Sequence, residues 1–291
     1  MNDNYDENEQ KIYKRDTLIK IPPSKTKILN LQESNLLENK FGAETLKGFS
    51  TVNLSHLYFY HYNCESVDDK GWGCAWRCMQ SVLKYQLSVT NQNKDNEISF
   101  YNLFMKYGAK NTLIDIYKKM KKNQDISNAL NGLENKTFAP HDIGCGWAEP
   151  FISQLVLYDF GFEGELILVN GYPKNYYAPK EVFEITIELS EFKELLKNHF
   201  MQKNAGPIIM DDGFSSLSVI GVKFDDENLI MQLIIMDPHA VNKPEIGLYI
   251  VILDSIEGNF IELIPNNHVC ASAAVHFSDK KPWMIYVPKS Y

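Results

Sequence analysis

One sharp turn, Asp68-Asp69-Lys70-Gly71-Trp72-Gly73, runs directly into a helical repeat, and no other stretch constrains the fold of this chain as strongly. Glycines on both sides of Trp72 let the backbone turn tightly and approach a neighbour closely. From Cys74 to Leu87, Ala75, Met79, Val82, Leu83 and Gln86 recur at helical spacing. The pattern predicts a helix that opens on a cysteine.

Two further helices are predicted. One runs from Pro150, a good first-turn residue, to Phe160 and stops at Gly161. The other runs from Glu191 to Lys203 with Ser190 as its N-cap. Alternating or continuous apolar runs predict strands at Glu165 to Val169, Phe183 to Leu189, Ile208 to Met210, Leu248 to Leu253, Phe260 to Ile264 and Trp283 to Val287. Leu217 to Phe224 and Leu229 to Met236 flank the polar turn Asp225-Asp226-Glu227-Asn228 and predict a hairpin. Helices early and antiparallel strands late make an α+β fold.

Residues 1–45 are rich in Asn, Asp, Glu and Lys, with Pro22-Pro23 in the middle, and read as an N-terminal extension, partly disordered. Ile19, Ile21, Ile28, Leu29 and Leu31 give part of it the means to pack on the remaining domain, residues 46–291. Removing residues 1–45 is expected to preserve activity. The Asn/Lys-rich stretches Asn91 to Asn96 and Lys118 to Gln124 read as loop tips or solvated helix faces.

With 29 Lys plus Arg against 37 Asp plus Glu, the net charge is −8, and no basic stripe is present to track a phosphate backbone. Nucleic acid is not an expected partner. No apolar run approaches the roughly eighteen residues of a membrane span, and the polar Met1 to Lys20 lacks the apolar region of a signal peptide. A cytoplasmic protein without direct membrane insertion is expected. The odd number of cysteines, Cys64, Cys74, Cys78, Cys145 and Cys270, does not suggest a disulfide framework. There is no CxxC pair and no second Cys/His pair at finger spacing, so neither a metal nor another cofactor is expected.

The position of Cys74 matters chemically. Unpaired N–H groups and the macrodipole at a helix N-terminus favour a thiolate and can donate to an oxyanion. The plain alternative is a small buried hydrophobe at a helix start. Far along the chain, Met236-Asp237-Pro238-His239 closes an apolar run. Asp237 and His239 are two apart, which in an extended strand points them to one side. Alone, Asp-Pro-His is a turn. Together with a cysteine at a helix start, it has the general arrangement of papain-type nucleophilic catalysis.

The run Tyr60-His61-Tyr62-Asn63-Cys64-Glu65-Ser66-Val67-Asp68-Asp69-Lys70-Gly71-Trp72-Gly73-Cys74-Ala75-Trp76-Arg77-Cys78-Met79-Gln80 resembles the active-site segment of the ubiquitin-fold-modifier-specific proteases. Gly206-Pro207-Ile208-Ile209-Met210, Val219-Ile220-Gly221-Val222 and Ile234-Ile235-Met236-Asp237-Pro238-His239 resemble the family's second block. The resemblance implies a papain-like cysteine protease fold, with the helix bearing the nucleophile packed on a mainly antiparallel sheet. It also implies cleavage after the C-terminal glycine of the modifier, both to mature its precursor and to release it from lysines of conjugated proteins. It assigns Cys74 as nucleophile, His239 as general base and acid, Asp237 as the group orienting the imidazole, and Tyr62 as the oxyanion-stabilising tyrosine. Trp72 and Trp147 become candidates to wall a narrow substrate tunnel, with ordinary packing as the equal alternative.

The expected partner is the ubiquitin-fold modifier with its conjugates. The N-terminal extension is where an adaptor protein would dock, and through such a partner the chain would reach the endoplasmic reticulum. Where several relatives carry a histidine, this chain has Ser215-Ser216-Leu217-Ser218, which argues against a related ubiquitin-chain-specific branch and leaves His239 as the base. Asp68 and Asp69, so close before the thiol, work against a thiolate and read as turn or capping groups. Cys145 reads as a loop residue, and Cys78 as a packed helix thiol rather than a resolving cysteine. His61, His141, His199, His268 and His276 show no partner pattern. The competing readings are a protease of the autophagy modifier or of ubiquitin itself, and a non-catalytic modifier-binding module.

Overall fold

The structure is a computed structural model that describes residues 28–95, 97–108, 110–120, 148–171, 183, 185–213, 215–224, 230–240, 247–254, 260–262 and 282–291. The expected loop around Cys145 and Trp147, the Asp225 to Asn228 turn and residues 1–27 lie outside these.

The described chain opens with β1 (Leu29–Asn30), α1 (Leu36–Phe41), α2 (Ala43–Leu46), β2 (Ser50–Thr51) and β3 (Tyr58–Phe59). Helices follow: α3 (Cys74–Val89), α4 (Phe100–Tyr107), α5 (Lys110–Met120) and α6 (Pro150–Asp159). After β4 (Gly164–Val169), β5 (Ile185–Ile187) and α7 (Leu189–Phe200) come β6 (Ile208–Asp211), β7 (Ser216–Phe224), β8 (Ile230–Met236), β9 (Leu248–Asp254), β10 (Phe260–Glu262) and β11 (Trp283–Pro288).

One nine-stranded sheet, ordered β10-β9-β8-β7-β6-β11-β4-β5 with β2 added to β7, dominates the fold. Every pairing is antiparallel except β4 with β5. The architecture is therefore α+β, with the Cys74 helix packed against β6 and β7 of a mainly antiparallel sheet. The β7–β8 pairing is the predicted hairpin, and Gly221 re-enters the register after a shift from Val219.

The middle of the sheet is buried on both faces. Along β4, Leu166 and Leu168 join the core around α3 to α6, while Ile167 and Val169 join a second core that includes Phe192, Leu196 and Phe200 of α7. The same alternation runs through Met284 and Tyr286 against Trp283 and Ile285 of β11. A period of two is what a strand between two apolar layers requires.

Three features differ from the sequence expectations. First, α7 starts earlier: Glu188 caps it, and the Glu191 side chain accepts from the Glu188 N–H at 2.9 Å, a reciprocal capping box that displaces Ser190 into the first turn. Second, α4 and α5 were not predicted. α4 starts at Ser99, whose hydroxyl accepts from the Asn102 N–H, and it buries Phe100, Leu103, Phe104 and Tyr107. Third, the packed part of the extension reaches beyond the residues expected to dock: β1 pairs with β3 through Leu29 and Leu31 is buried, as their apolar character allowed, and Leu37 is buried in the second core as well.

Candidate active site

Cys74 is the first residue of α3, and it is buried. Gly73 precedes it with no side-chain cap, so the N–H groups of the first turn are not taken up by a capping side chain. The helix is enclosed on nearly all sides. Beyond the predicted apolar face, Arg77, Gln80, Ser81 and Gln86 are also buried.

A polar network accounts for that burial. Arg77 pairs with Glu65 and with Asp69, whose Oδ2 accepts from Nε at 2.6 Å. Its Nη1 also donates to Gln80 Oε1 at 2.9 Å, and its guanidinium lies 4.2 Å from the centre of the Phe100 ring. Glu65 in turn accepts from the Phe100 N–H at 3.1 Å, which ties the start of α4 to the loop before Cys74. A buried arginine left without such partners would be costly, so this loop and α3 have to be placed together.

Asp237, Pro238 and His239 follow β8 directly. The sequence expectation set the two side chains on one side of an extended strand. They lie instead in a turn, where Asp237 Oδ1 accepts from the His239 backbone N–H at 3.0 Å and also from Nδ1 of the ring. The carboxylate folds onto its own backbone two residues on and holds the imidazole in the same motion. Tyr249 of β9 donates to Asp237 Oδ2 at 3.4 Å, and the Asp237 N–H donates to the Gly247 carbonyl at 2.7 Å. A Cβ on Gly247 would stand 2.4 Å from the Asp237 carbonyl oxygen, so only glycine fits there. Nothing in the sequence pattern marked Tyr249 or Gly247, because their role depends on the β8–β9 register.

His239 also hydrogen-bonds Cys74. With Nδ1 committed to Asp237, Nε2 is the atom left to face the sulfur. Burial disfavours the imidazolium, but the hydrogen bonds and charges of Asp237 and Cys74 outweigh it and raise the His239 pKa to about 11. The pair can hold a proton on the ring beside a thiolate.

Tyr62 completes the cluster. Its ring meets the His239 ring edge-on at 5.1 Å between centroids. Its hydroxyl is buried, has no well-formed hydrogen bond, and faces the Cys74 sulfur closely enough that burial first and Cys74 second push its pKa up. The group stays a neutral donor. With no oxygen or nitrogen acceptor beside it, this buried O–H is placed to donate to an acceptor carried in by a substrate.

The structure thus brings Cys74, His239, Asp237 and Tyr62 together. Trp72 is half-buried and packs on Phe100 at 5.6 Å and Phe104 at 5.5 Å, which are helix-core contacts. Trp147 lies outside the described residues. Cys78 sits one turn below Cys74 and is buried, and its thiol is pushed well up by burial despite a hydrogen bond with Ser218. His61 is buried with Nδ1 2.9 Å from the Tyr62 carbonyl oxygen, and His199 is buried with Nε2 2.7 Å from the Gly206 carbonyl oxygen; both positions are structural.

Residues 49–130 match the family model of Peptidase family C78, a range that includes Tyr62 and Cys74. Over 30 residues the chain is 43% identical to Ufm1-specific protease 1 of Mus musculus, a stretch covering 10% of this chain and 14% of that protein. The crystal structure of UfSP from C. elegans aligns with 84% of this chain and 34% of its own, at 16% identity and a TM-score of 0.45. The chain thus covers well under half the length of each of these two relatives.

Proposed function

We propose that this chain is a thiol protease that cleaves after the C-terminal glycine of a ubiquitin-fold modifier, maturing its precursor and releasing it from lysine-conjugated proteins. The observation that carries the reading is the buried Tyr62 hydroxyl facing Cys74 while His239, held by Asp237, faces the same sulfur. A binding module would have no use for that convergence. The C78 match over the nucleophile segment and the similarity to a Ufm1-specific protease support the substrate class.

In this reading the Cys74 thiolate attacks the glycyl carbonyl carbon, and the carbonyl π pair moves onto oxygen. Tyr62 and the N–H groups at the start of α3 donate to that oxyanion. The tetrahedral intermediate collapses, the C–N bond breaks, and the His239 imidazolium gives its proton to the leaving amine. Neutral His239 then takes a proton from water, hydroxide adds to the thioester, and the thiolate leaves. Asp237 holds Nδ1 and keeps Nε2 aimed at the reacting atoms.

Covalent capture tests both halves of the proposal. The protein is mixed separately with ubiquitin-fold modifier, ubiquitin and the autophagy modifier, each carrying a C-terminal electrophile, and adducts are read by intact mass with Cys74→Ala as control. Labelling by the first probe, lost in the variant, is expected. Labelling by another probe would keep the chemistry and replace the substrate. No labelling despite binding would leave a non-catalytic module.

A further inference from the structure

Asp69 stands between the two halves of the site. Its Oδ1 accepts from the Asn63 backbone N–H at 2.8 Å, the peptide immediately after Tyr62. Its Oδ2 accepts from Arg77 Nε at 2.6 Å, three residues into α3 from Cys74. Its backbone carbonyl accepts from the Gly73 N–H at 2.9 Å, just before Cys74. One fully buried residue therefore ties the Tyr62 loop, the turn before the nucleophile and the nucleophile's helix together.

Two local features exist to allow this. A Cβ on Gly73 would lie 2.6 Å from Asp69 Oδ2, so glycine is what lets the carboxylate reach Arg77 across the start of the helix. Asn63 adopts a left-handed backbone, with φ of 65°, so the chain turns immediately after the peptide whose N–H Asp69 accepts. The Tyr62 N–H donates to the Pro238 carbonyl, a backbone link that runs to the His239 side. The loop is also held to α3 by the Tyr60 N–H on the Ser81 hydroxyl and by Glu65 on Arg77, but Asp69 is the side chain that bonds the peptide adjoining Tyr62 itself.

We infer that Asp69 is a positioning residue that sets the Tyr62 hydroxyl against Cys74, and so builds the oxyanion site through Asn63 and Arg77 without touching substrate. This rests on the proposed thiol-protease reading. Its distinctive consequence is that Asp69 acts through Tyr62. A carboxylate that merely held the fold together would act equally whether or not the tyrosine hydroxyl were present.

The test is a double-mutant cycle on the full chain, using the modifier carrying a fluorogenic amide at its C-terminal glycine. Asp69→Asn keeps the shape but offers one oxygen where two donors wait. It is expected to lower kcat about tenfold or more with KM within about twofold, since small misplacements of reacting groups are costly. In a Tyr62→Phe background the same change is expected to cost no more than about twofold, the scatter of uncoupled pairs. Alkylation of Cys74 by iodoacetamide, which displaces iodide and forms no oxyanion, is expected to keep the wild-type rate within about twofold in Asp69→Asn. Should that variant fail to fold, Arg77→Lys, which retains charge but loses the forked contact, carries the same cycle. Equal losses in both backgrounds, or alkylation falling in step with turnover, would overturn the inference alone. A wild-type chain without Cys74-dependent turnover would overturn the proposed function, and this inference with it.

Discussion

The backbone N–H of Tyr62 donates to the carbonyl of Pro238 at 2.9 Å, joining the loop of the candidate oxyanion donor to the turn of the candidate base. Because the link is made by the main chain, it survives any change to the phenol. Tyr62→Phe therefore isolates the hydroxyl. Since that O–H has no good partner in the free protein, its loss should leave stability unchanged or slightly raised, within about 1 kcal/mol. Turnover should fall about a hundredfold with KM little altered, the usual effect of deleting one oxyanion donor. Urea unfolding and steady-state kinetics on the same preparation check both; an unchanged rate would return Tyr62 to the core.

The raised pKa of His239 makes a statement about stability against pH. A histidine at about 11 in the folded chain, against an ordinary value of about 6.5, favours the folded state while it is protonated. That contribution is complete below about pH 6.5 and declines as pH climbs toward about 11. The stability gap between wild type and His239→Gln should accordingly narrow from neutral to alkaline pH. Denaturant midpoints of the two proteins across that range measure it. A gap that stayed constant or widened would mean the imidazolium is not held by Asp237 and Cys74.

The N-terminal segment is expected to matter more than its composition suggests. Leu31 and Leu37 are buried, and the Asn30 side chain donates to the Ser55 carbonyl at 2.8 Å while accepting from the N–H groups of Gln32 and Glu33. β1 pairs with β3, the strand that leads to Tyr62. Compared with a chain starting at residue 28, one starting at residue 47 should lose activity as well as stability, contrary to the sequence expectation. Leu31→Ala alone should cost about 2–4 kcal/mol. Thermal melts and turnover of the three proteins decide it.

What the sequence made legible follows from the range of the interactions involved. The α3 start at Cys74 and the strands from β6 to β9 could be read because each depends on local periodicity or on a nearby glycine. The Asp237–His239 spacing was visible as well, though the mechanism joining the two was not: strand alternation and a side chain folding onto its own backbone both place i and i+2 together. Asp69 could be recognised as a turn residue, yet its bond to Arg77 depends on packing of the helix against the loop. The contacts of Tyr249 and Gly247 with Asp237 exist only once β8 and β9 are in register, and the Tyr62–Pro238 link only once the loop after β3 meets the turn after β8. α4 was missed because its apolar side chains cluster on α3, and no pattern within eight residues reveals a partner that far away.

Cys78 offers a contrast with Cys74 on the same helix. Both lie on α3 four residues apart, but burial pushes the Cys78 thiol well up, and it packs toward Ser218 of β7. Neighbours at this spacing have Cβ atoms side by side rather than converging, so a disulfide between them would require the first turn of α3 to unwind. Cys78→Ala should therefore keep turnover within about threefold and cost about 1–2 kcal/mol of stability from lost packing. After mild peroxide inactivation, recovery with added thiol should proceed alike in wild type and variant. Recovery that depended on Cys78 would show that the first turn does open, and that this buried thiol has access to the nucleophile after all.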